Sequence, residues 1–364
     1  MATQSDARAS TLRSRAVPVT RDVWRIDRAG SLARLTRRSE SLPDLAAGQA
    51  RVSVKAIGLN FADIFACLGL YSATPRGSFI PGFEFAGVVE DVHPGAAGRV
   101  RPGDRVAGLT RFGAYATVID GDAADLRPVR ADWSFPQAAA FPAQALTAWY
   151  GLIRLGAVEE GDVVLVQSAA GGVGLNALAI LDAIRARPIA VVGRAAKRQW
   201  LVENRGLAPE AVIVRDRRSF GAQLDRALAA LGAGGFDLVL DAVAGPFLRP
   251  AFARLRPEGR YVVYGAADFM PAGARPGYLR LAVKYVSRAR IDPLAMIGAN
   301  RSVMAFNLVW LSDRRDLRDA GLDALSALAT APPLVGRRFP FAEIPAAMRY
   351  LQSGGSIGKV VVEA

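Results

Sequence analysis

The sequence has very few residues of the kinds that build metal centres and covalent cross-links. Among 364 residues there is one cysteine, Cys67, and one histidine, His93. A single cysteine cannot form an internal disulfide, so nothing indicates a secreted, disulfide-stabilised scaffold. One cysteine and one histidine also cannot build the Cys/His ligand set of a structural zinc site. A Ser-His or Cys-His nucleophile would have to use His93, which lies beside Pro94 and Gly95 in a predicted turn.

Long apolar runs are also missing. A membrane-spanning helix needs roughly 18 consecutive apolar residues, and the best stretch, 173–184, is interrupted by Asn176 and Asp182. Residues 1–17 are rich in Ser, Ala and Arg and contain no apolar signal core. We therefore expect a disordered tail there, with a transit peptide as the alternative. These absences predict a cytoplasmic protein with no membrane span.

Acidic residues are fewer than basic ones, which gives a formal net charge of +13. Only four of the 46 basic residues are lysines, and the arginines are scattered along the chain. The densest cluster is Arg215, Arg217 and Arg218, and no RNA-recognition motif is present. We interpret the surplus as mainly solvated surface and expect no nucleic-acid partner. The alternative is RNA binding, which only the positive net charge supports.

Two hydrophobic patterns divide the chain. Before residue 142, short alternating runs such as 51–57 are separated by Gly and Pro, which predicts an antiparallel β-rich domain. From about residue 162, continuous apolar strands alternate with helices, which predicts βαβ units and a parallel sheet. The strands are predicted at 163–166, 189–192, 211–214, 236–240 and 260–264. The helices are predicted at 175–186, in the polar segment that ends at residue 203, at 223–231 and near residue 252. We expect Pro188 to stop the first helix and the last strand, 358–362, to return to the first domain.

The strongest local motif follows the first of these apolar strands. It reads A-x-G-x-x-G from Ala169 to Gly174 and opens a helix, as in dinucleotide-binding proteins. Gly171 lets the backbone approach a pyrophosphate, and Gly174 lets the helix pack close to the sheet. The alternative is an ordinary tight turn. The candidate cofactor-binding residues in this loop are Ala170, Gly171, Gly172, Val173 and Gly174.

The end of the second strand predicts which dinucleotide binds. An NAD-binding protein places a carboxylate there for the ribose hydroxyl, but this chain has Gly193 followed by Arg194, Lys197 and Arg198. Cations at this position favour the 2′-phosphate of NADPH. The alternative is that Lys197 and Arg198 form a solvated first helical turn.

Several segments together resemble the zinc-independent quinone oxidoreductase branch of the medium-chain dehydrogenase/reductase superfamily, and most of all its VAT-1 homologue subgroup. They are residues 58–63, 69–71, 81–89, 146–150, 170–174, 264–265, 300–308 and 357–361. The resemblance implies an α/β protein with a GroES-like catalytic domain, 18–142 and 298–364, and an inserted Rossmann domain, 143–297. Ligands are expected in the cleft between them. Zinc-dependent relatives have Gly-His-Glu where this chain has Gly82-Phe83-Glu84, so we expect no metal.

The resemblance also implies roles for individual residues. Asn60 and Thr147 are expected beside the nicotinamide, and Gly193, Arg194 and Lys197 at the 2′-phosphate. The other implied cofactor contacts are Arg215, Tyr264, Gly265, Phe306, Leu308 and Lys359.

Two residues are the implied catalytic groups. In related enoyl reductases a tyrosine at the position of Tyr71 is the proposed proton donor, and a phenol suits this role because it stays protonated at neutral pH. Asn60 or Tyr71 is expected to donate to the carbonyl oxygen of the substrate. The alternative for Tyr71 is a gate or stacking residue that lines the pocket.

Three departures from the relatives concern the pocket. Cys67 replaces a common Arg, Gln144 a common Asn, and Arg215 a common Tyr that packs on adenine. Cys67 is expected to be a buried small residue rather than a nucleophile, although its position suggests a changed pocket wall.

These features predict an NADPH-dependent reductase of small quinones or α,β-unsaturated carbonyl compounds. The alternative is an NADPH-binding regulatory or interaction protein with little turnover. A homodimer is common in the family, and an edge strand near residues 291–296 is a candidate for pairing across its interface.

Overall fold

Two large β-sheets organise the part of the chain that the computed structural model describes, which comprises residues 18–96, 98–328 and 331–364. The tail predicted for residues 1–17 lies outside these ranges. In chain order the strands are β1 (Thr20–Ile26), β2 (Leu35–Ser41), β3 (Gln49–Gly58), β4 (Glu84–Val92), β5 (Arg105–Leu109), β6 (Val118–Asp122), β7 (Leu126–Pro128), β8 (Val163–Gln167), β9 (Arg187–Val192), β10 (Val212–Val214), β11 (Phe236–Asp241), β12 (Leu255–Val263), β13 (Ser302–Ala305), β14 (Val335–Pro340) and β15 (Lys359–Glu363).

The helices fill the connections between these strands. They are α1 (Phe61–Cys67), α2 (Phe135–Ala139), α3 (Pro142–Trp149), α4 (Gly172–Ile184), α5 (Ala195–Arg205), α6 (Phe220–Ala230), α7 (Leu248–Phe252), α8 (Tyr278–Val286), α9 (Pro293–Ala299), α10 (Arg315–Leu328) and α11 (Ile344–Gln352). The helix α3 continues as a π-helical turn, Tyr150–Leu155. Within the described residues, no helix has the length and apolar character needed to cross a bilayer.

The first sheet has seven strands and is mostly antiparallel. Its order is β14-β15-β3-β4-β5-β7, with β6 also paired to β3. The last strand, β15, runs antiparallel to β3 with Val361 opposite Gly58, so the chain returns to its first sheet as predicted. The helix α2 packs closely against the end of β3. A Cβ on Gly58 would be 2.2 Å from the Ala139 carbonyl oxygen.

The second sheet has six parallel strands in the order β10-β9-β8-β11-β12-β13, which confirms the predicted βαβ series. Its central strand β8 is buried along its whole length. Val164 and Val166 pack into the core under α3, α4 and α5, whereas Val163 and Leu165 pack into the core under α6 and α7. Burial on both faces explains why this strand is a continuous apolar run.

One predicted helix end is wrong. The helix α4 ends at Ile184, and Arg185 follows in the left-handed conformation with φ of 62°. Pro188 lies inside β9, so the chain has turned before the proline is reached. A proline is tolerated near the start of a strand when its missing N–H is not needed for the ladder.

The predicted edge strand near residues 291–296 is also wrong. That segment leads into the helix α9, where Asp292 caps the first turn by accepting a hydrogen bond from the Leu294 N–H. The edge strand is β13, which pairs with β12 through Val262 and Met304. The parallel sheet therefore continues past residue 297, where we placed the end of the Rossmann domain.

Candidate active site

A cavity of about 1230 Å³ lies between the two sheets. The carboxyl ends of the parallel strands open into it, which is where ligands bind in open α/β sheets. The predicted site residues on its wall are Asn60, Tyr71, Thr147, Ala170, Gly171, Gly172, Val173, Gly174, Gly193, Lys197, Arg215, Tyr264, Gly265, Phe306 and Leu308. Two predicted contacts, Arg194 and Lys359, do not form part of this wall.

The glycine-rich loop forms a cradle at the amino end of α4. Gly171 is the N-cap residue, and its own N–H donates to the Ser168 carbonyl oxygen at 2.9 Å. The backbone N–H groups of the first turn have no intrahelical partner and carry the positive end of the helix dipole. A Cβ on Gly174 would be 2.5 Å from the Ala169 Cα, so only glycine permits this packing. The loop has the shape and polarity to hold a pyrophosphate.

Two cations occupy the end of the cavity beyond β9. Lys197 and Arg215 line the wall beside Gly193, and a Cβ on Gly193 would be 3.2 Å from an Arg215 terminal nitrogen. Burial lowers the pKa of Lys197 to about 8, and the positive charges of Arg194 and Arg215 add to this shift. Within the described residues neither Lys197 nor Arg215 makes an ion pair. The carboxylates of Asp241 and Asp268 act to raise the pKa of Arg215, but neither pairs with it directly.

Two other arginines that the sequence placed near this pocket are held elsewhere. Arg198 donates to the carbonyl oxygens of Val212 and Pro209, at 3.0 and 2.8 Å. Arg194 donates to the Ser353 carbonyl oxygen at 2.7 Å. The prediction that Arg198 points at the 2′-phosphate is wrong, because two backbone carbonyls already bind its guanidinium.

The part of the cavity beside α1 contains a buried polar cluster around Asn60. Lys359 Nζ donates to Glu84 Oε1 at 2.5 Å and to Asn60 Oδ1 at 2.8 Å. Gln144 Nε2 also donates to Asn60 Oδ1, at 2.5 Å. The Asn60 amide nitrogen in turn donates to Glu84 Oε1 at 3.0 Å and to the Gly58 carbonyl oxygen at 3.2 Å. Both amide hydrogens of Asn60 are therefore engaged, and neither is free for a substrate carbonyl.

Lys359 is a structural partner of Asn60 rather than part of the cavity wall. Its side chain is 3% exposed, and that of Glu84 is fully buried. Burial lowers the pKa of Lys359, while the adjacent Glu84 carboxylate acts in the opposite direction. The second carboxylate oxygen of Glu84 accepts the Ala143 N–H at 2.9 Å. Glu84 was not predicted as a site residue, although it stands in the Gly82-Phe83-Glu84 motif.

Asp63 fixes the backbone of Asn60 at the start of α1. The Asn60 N–H donates to Asp63 Oδ2 at 2.7 Å, which ties the N-cap residue to the first turn of the helix. Burial raises the pKa of Asp63 to about 7. Asn60 is thus held both by its side-chain amide and by its backbone N–H.

Tyr71 and Asn307 meet across the cavity. Tyr71 Oη donates to Asn307 Oδ1 at 2.7 Å, and the Tyr71 ring packs edge-on against Phe83. Burial raises the pKa of Tyr71 to about 12. Phe306, beside Asn307, packs against the rings of Tyr150 and Tyr264. Asn307 was not predicted as a site residue, although its neighbours Phe306 and Leu308 were.

Cys67 does not form part of the cavity wall. It is fully buried in the core of the first sheet, and burial raises the pKa of its thiol. The expectation of a buried small residue is confirmed, and the suggestion that it changes the pocket wall is wrong.

The residues present do not fit a zinc ion. No group of three or more His, Cys, Asp or Glu side chains suited to a metal occurs among the described residues. Phe83 has no donor atom, and Glu84 and Asp63 are bound by Lys359 and the Asn60 backbone. His93 lies on the surface, where its Nδ1 accepts the Gly95 N–H.

Comparisons with known proteins agree with this architecture. Residues 46–131 match the model of the alcohol dehydrogenase GroES-like domain, and residues 210–362 match that of the zinc-binding dehydrogenase. The chain is 30% identical over 318 residues to the rat synaptic vesicle membrane protein VAT-1 homolog, covering 86% of this chain and 76% of that protein. The chain belongs to the medium-chain dehydrogenase/reductase superfamily. Its GroES-like and Rossmann-like parts confirm the predicted fold class.

Two solved structures of this superfamily are similar over nearly their whole length. The quinone oxidoreductase from Thermus thermophilus, also solved as a complex with NADPH, is 31% identical, with a TM-score of 0.71 over 94% of this chain and all of that chain. The CurK enoyl reductase is 26% identical, with a TM-score of 0.77 over 94% of this chain and 99% of that one. The chain spans 65% of the zebrafish VAT-1 homolog and 13% of the Streptomyces orinoci polyketide synthase system protein NorB. It therefore matches only part of some of its relatives.

The buried ion pair generates a stability prediction. Replacing Lys359 by Met leaves the Glu84 carboxylate buried without its charge partner, so we expect Lys359→Met to lower the free energy of unfolding by about 3–5 kcal/mol. Urea denaturation measures this change.

Two further variants serve as controls. Glu84→Gln combined with Lys359→Met removes both charges and should recover most of the lost stability. Arg338→Met removes a half-exposed pair with Glu363 at the same sheet edge and should cost less than about 1 kcal/mol. A Lys359→Met variant as stable as the Arg338→Met variant would contradict the prediction.

Proposed function

We propose that this chain is an NADPH-dependent reductase that transfers hydride to quinones or to α,β-unsaturated carbonyl compounds. The observation that carries the proposal is the pair of half-buried cations, Lys197 and Arg215, on the cavity wall beside Gly193. They lack an ion-pair partner within the described residues. A 2′-phosphate supplies a direct ion-pair partner for both cations, and a ribose hydroxyl does not.

The rest of the cavity fits the other parts of this cofactor. The amino end of α4 suits the pyrophosphate, and Thr147, Tyr264 and Phe306 line the part of the cavity that we assign to the nicotinamide. The cavity volume of about 1230 Å³ exceeds the roughly 300–1,000 Å³ of ordinary small-molecule pockets. It has room for a cofactor and an acceptor together.

When bound, NADPH supplies the hydride, and the chain's own residues orient the acceptor and handle the proton. Asn60 forms a rigid wall, since its amide is held by Lys359, Gln144 and Glu84. Tyr71 is the proton donor that we assign to the site. Its phenol is protonated at neutral pH, since the pKa of an ordinary phenol is about 10 and burial raises that of Tyr71 to about 12. Hydride transfer to the electron-poor carbon places negative charge on the carbonyl oxygen and on the carbon next to the carbonyl. That carbon then takes the proton from Tyr71.

We further propose that the reaction uses no zinc. The support is the chemistry of the side chains at this position: Phe83 offers no ligand atom, and the Glu84 carboxylate is already neutralised by Lys359. The acceptor class rests on two relatives, a quinone oxidoreductase and an enoyl reductase. Both acceptor types present an electron-poor carbon conjugated to a carbonyl, so one site can serve either.

The positive charge of the chain does not require a nucleic-acid partner. Surface arginines pair with carboxylates, as in Arg254 with Asp225 and Arg315 with Asp122. We therefore retain the view that nucleic acid is not a partner. A cytoplasmic location also stays a prediction.

The proposed reaction predicts that the protein oxidises NADPH in the presence of some members of a panel of quinones and enones. The loss of NADPH absorbance measures turnover, and NADH at equal concentration is the control. If no acceptor causes oxidation although NADPH binds tightly, the alternative of an NADPH-binding regulatory protein is favoured and the reductase proposal fails.

The cation pocket predicts the cofactor preference. Lys197→Met should weaken NADPH binding roughly 10–100-fold, since it removes one charge-assisted hydrogen bond to the phosphate, and should leave NADH binding unchanged. Arg198→Met is the matched control, because Arg198 lies on the same helix but binds backbone carbonyls. Fluorescence titration gives both dissociation constants.

The same pocket sets the direction of the pH dependence. Burial lowers the pKa of Lys197 to about 8, and only the protonated form attracts the phosphate. NADPH affinity of the unmodified protein should therefore fall as pH rises above 8, and this fall should be absent in Lys197→Met. Equal losses in both proteins would contradict the assignment of Lys197.

We also propose a homodimer that forms through α8, α9 and β13. The two helices expose Leu279, Val283, Val286, Leu294 and Ile297, with Leu279 at 82% and Ile297 at 77%. They lead directly into β13, the last strand of its sheet. Large exposed apolar surface and an open sheet edge both favour association with a partner.

The homodimer predicts a mass in light scattering of twice that of one chain. Leu279→Glu combined with Val283→Glu places two charges on the apolar face of α8 and should give monomers that still bind NADPH. Leu328→Glu, at an exposed position on α10, is the control and should not change the mass. A monomeric unmodified protein would overturn this proposal.

A further inference from the structure

The contact between Tyr71 and Asn307 joins the two halves of the cavity. Tyr71 lies in the turn after α1, and Asn307 is the second residue after β13 of the parallel sheet. The phenol Oη donates to Asn307 Oδ1 at 2.7 Å, and both side chains line the cavity. The residues are 236 positions apart in sequence, so this contact depends on the cleft being assembled.

The Asn307 amide has a second partner at its other end. Its Nδ2 faces Ser72 Oγ at 3.5 Å. A serine hydroxyl can either accept or donate a hydrogen bond, and an amide offers an acceptor on one side and two donors on the other. A half-turn of the amide would bring Nδ2 to the Tyr71 oxygen and Oδ1 to the Ser72 hydroxyl. Both orientations therefore leave the amide with a partner at each end.

We propose that Asn307 is a positioning residue for Tyr71 which supports both protonation states of the phenol. Its carbonyl oxygen holds the O–H in place before proton transfer, and its N–H stabilises the phenolate afterwards. This inference rests on the proposed function, because it concerns the proton donor of that reaction. It adds Asn307 and Ser72 to the site.

The proton balance of the step is simple. The acceptor gains a hydride and becomes an enolate, so it has been reduced by two electrons. The O–H bond of Tyr71 then breaks, a C–H bond forms at the carbon next to the carbonyl, and the phenol oxygen keeps the electron pair. Water that enters the cleft after product release returns a proton to this oxygen. NADPH is the reductant, and water is the ultimate proton source.

A phenolate in this position needs a donor. Burial raises the pKa of Tyr71, the nearby Asp63 carboxyl acts in the same direction, and the contact with Asn307 opposes both. A buried charged oxygen without a hydrogen-bond donor is strongly disfavoured. Aspartate at position 307 could accept the O–H but could not donate to the phenolate, and its own charge would repel it. Leucine has a similar size and offers no polar atom at all.

The test measures the pKa of the phenol in the free protein. A fluorinated tyrosine, whose phenol ionises at lower pH than tyrosine itself, is placed at position 71, and its fluorine NMR shift is followed against pH. The same titration is repeated in the Asn307→Leu and Asn307→Asp variants. We expect the pKa to rise by roughly one unit or more in Asn307→Leu, since the donor to the phenolate is lost, and further in Asn307→Asp.

Each result decides the proposal. An unchanged pKa in Asn307→Leu overturns it, even if Asn307→Asp raises the pKa, because charge repulsion alone would then explain the second variant. Circular dichroism checks folding, and Asn307→Ala replaces Asn307→Leu if the latter does not fold. The titration needs neither cofactor nor turnover. The titration can therefore contradict the role of Asn307 in an active reductase, or support that role in a protein that reduces none of the acceptors.

Discussion

The buried pair of Lys359 and Glu84 is the interaction on which the rest of the site depends. The lysine comes from β15, the carboxylate from β4, and the amide that both contact from the residue before α1. Removing two charges from water costs several kcal/mol per ion, and only good geometry with further hydrogen bonds offsets that cost. Here the remaining hydrogen-bonding atoms of the pair find partners in Asn60 and the Ala143 N–H. The pair is better understood as fixing a geometry than as a source of stability.

The same cluster connects to the phosphate-binding loop. The Gly358 N–H, one residue before Lys359, donates to the Ala170 carbonyl oxygen at 2.8 Å, and a Cβ on Gly172 would be 2.6 Å from Gln144 Oε1. The position of the loop is therefore set by the first sheet as well as by its own strand. This arrangement places the glycine-rich loop and the polar cluster around Asn60 in one rigid frame.

The fold was predictable from the sequence to a large extent, because hydrophobic periodicity reports which faces of an element are covered. Continuous apolar runs such as 163–166 indicate burial on both faces, and β8 shows it. Side-chain direction within a turn was not predictable. Lys197 and Arg198 are neighbours on α5, yet only Lys197 faces the cavity. Lys359 was misjudged and Asn307 was missed for a different reason, since their partners lie hundreds of residues away in sequence.

The Lys359–Asn60 contact closes a loop of 299 residues that contains the whole parallel sheet. The conformational entropy lost on closing a flexible loop grows only with the logarithm of its length, by about 0.6 kcal/mol for each doubling. An inserted segment that folds on itself shortens the effective loop still further. An antiparallel sheet can therefore accommodate an entire second layer of βαβ units between two of its own strands at small entropic cost, provided that the inserted ends emerge close together.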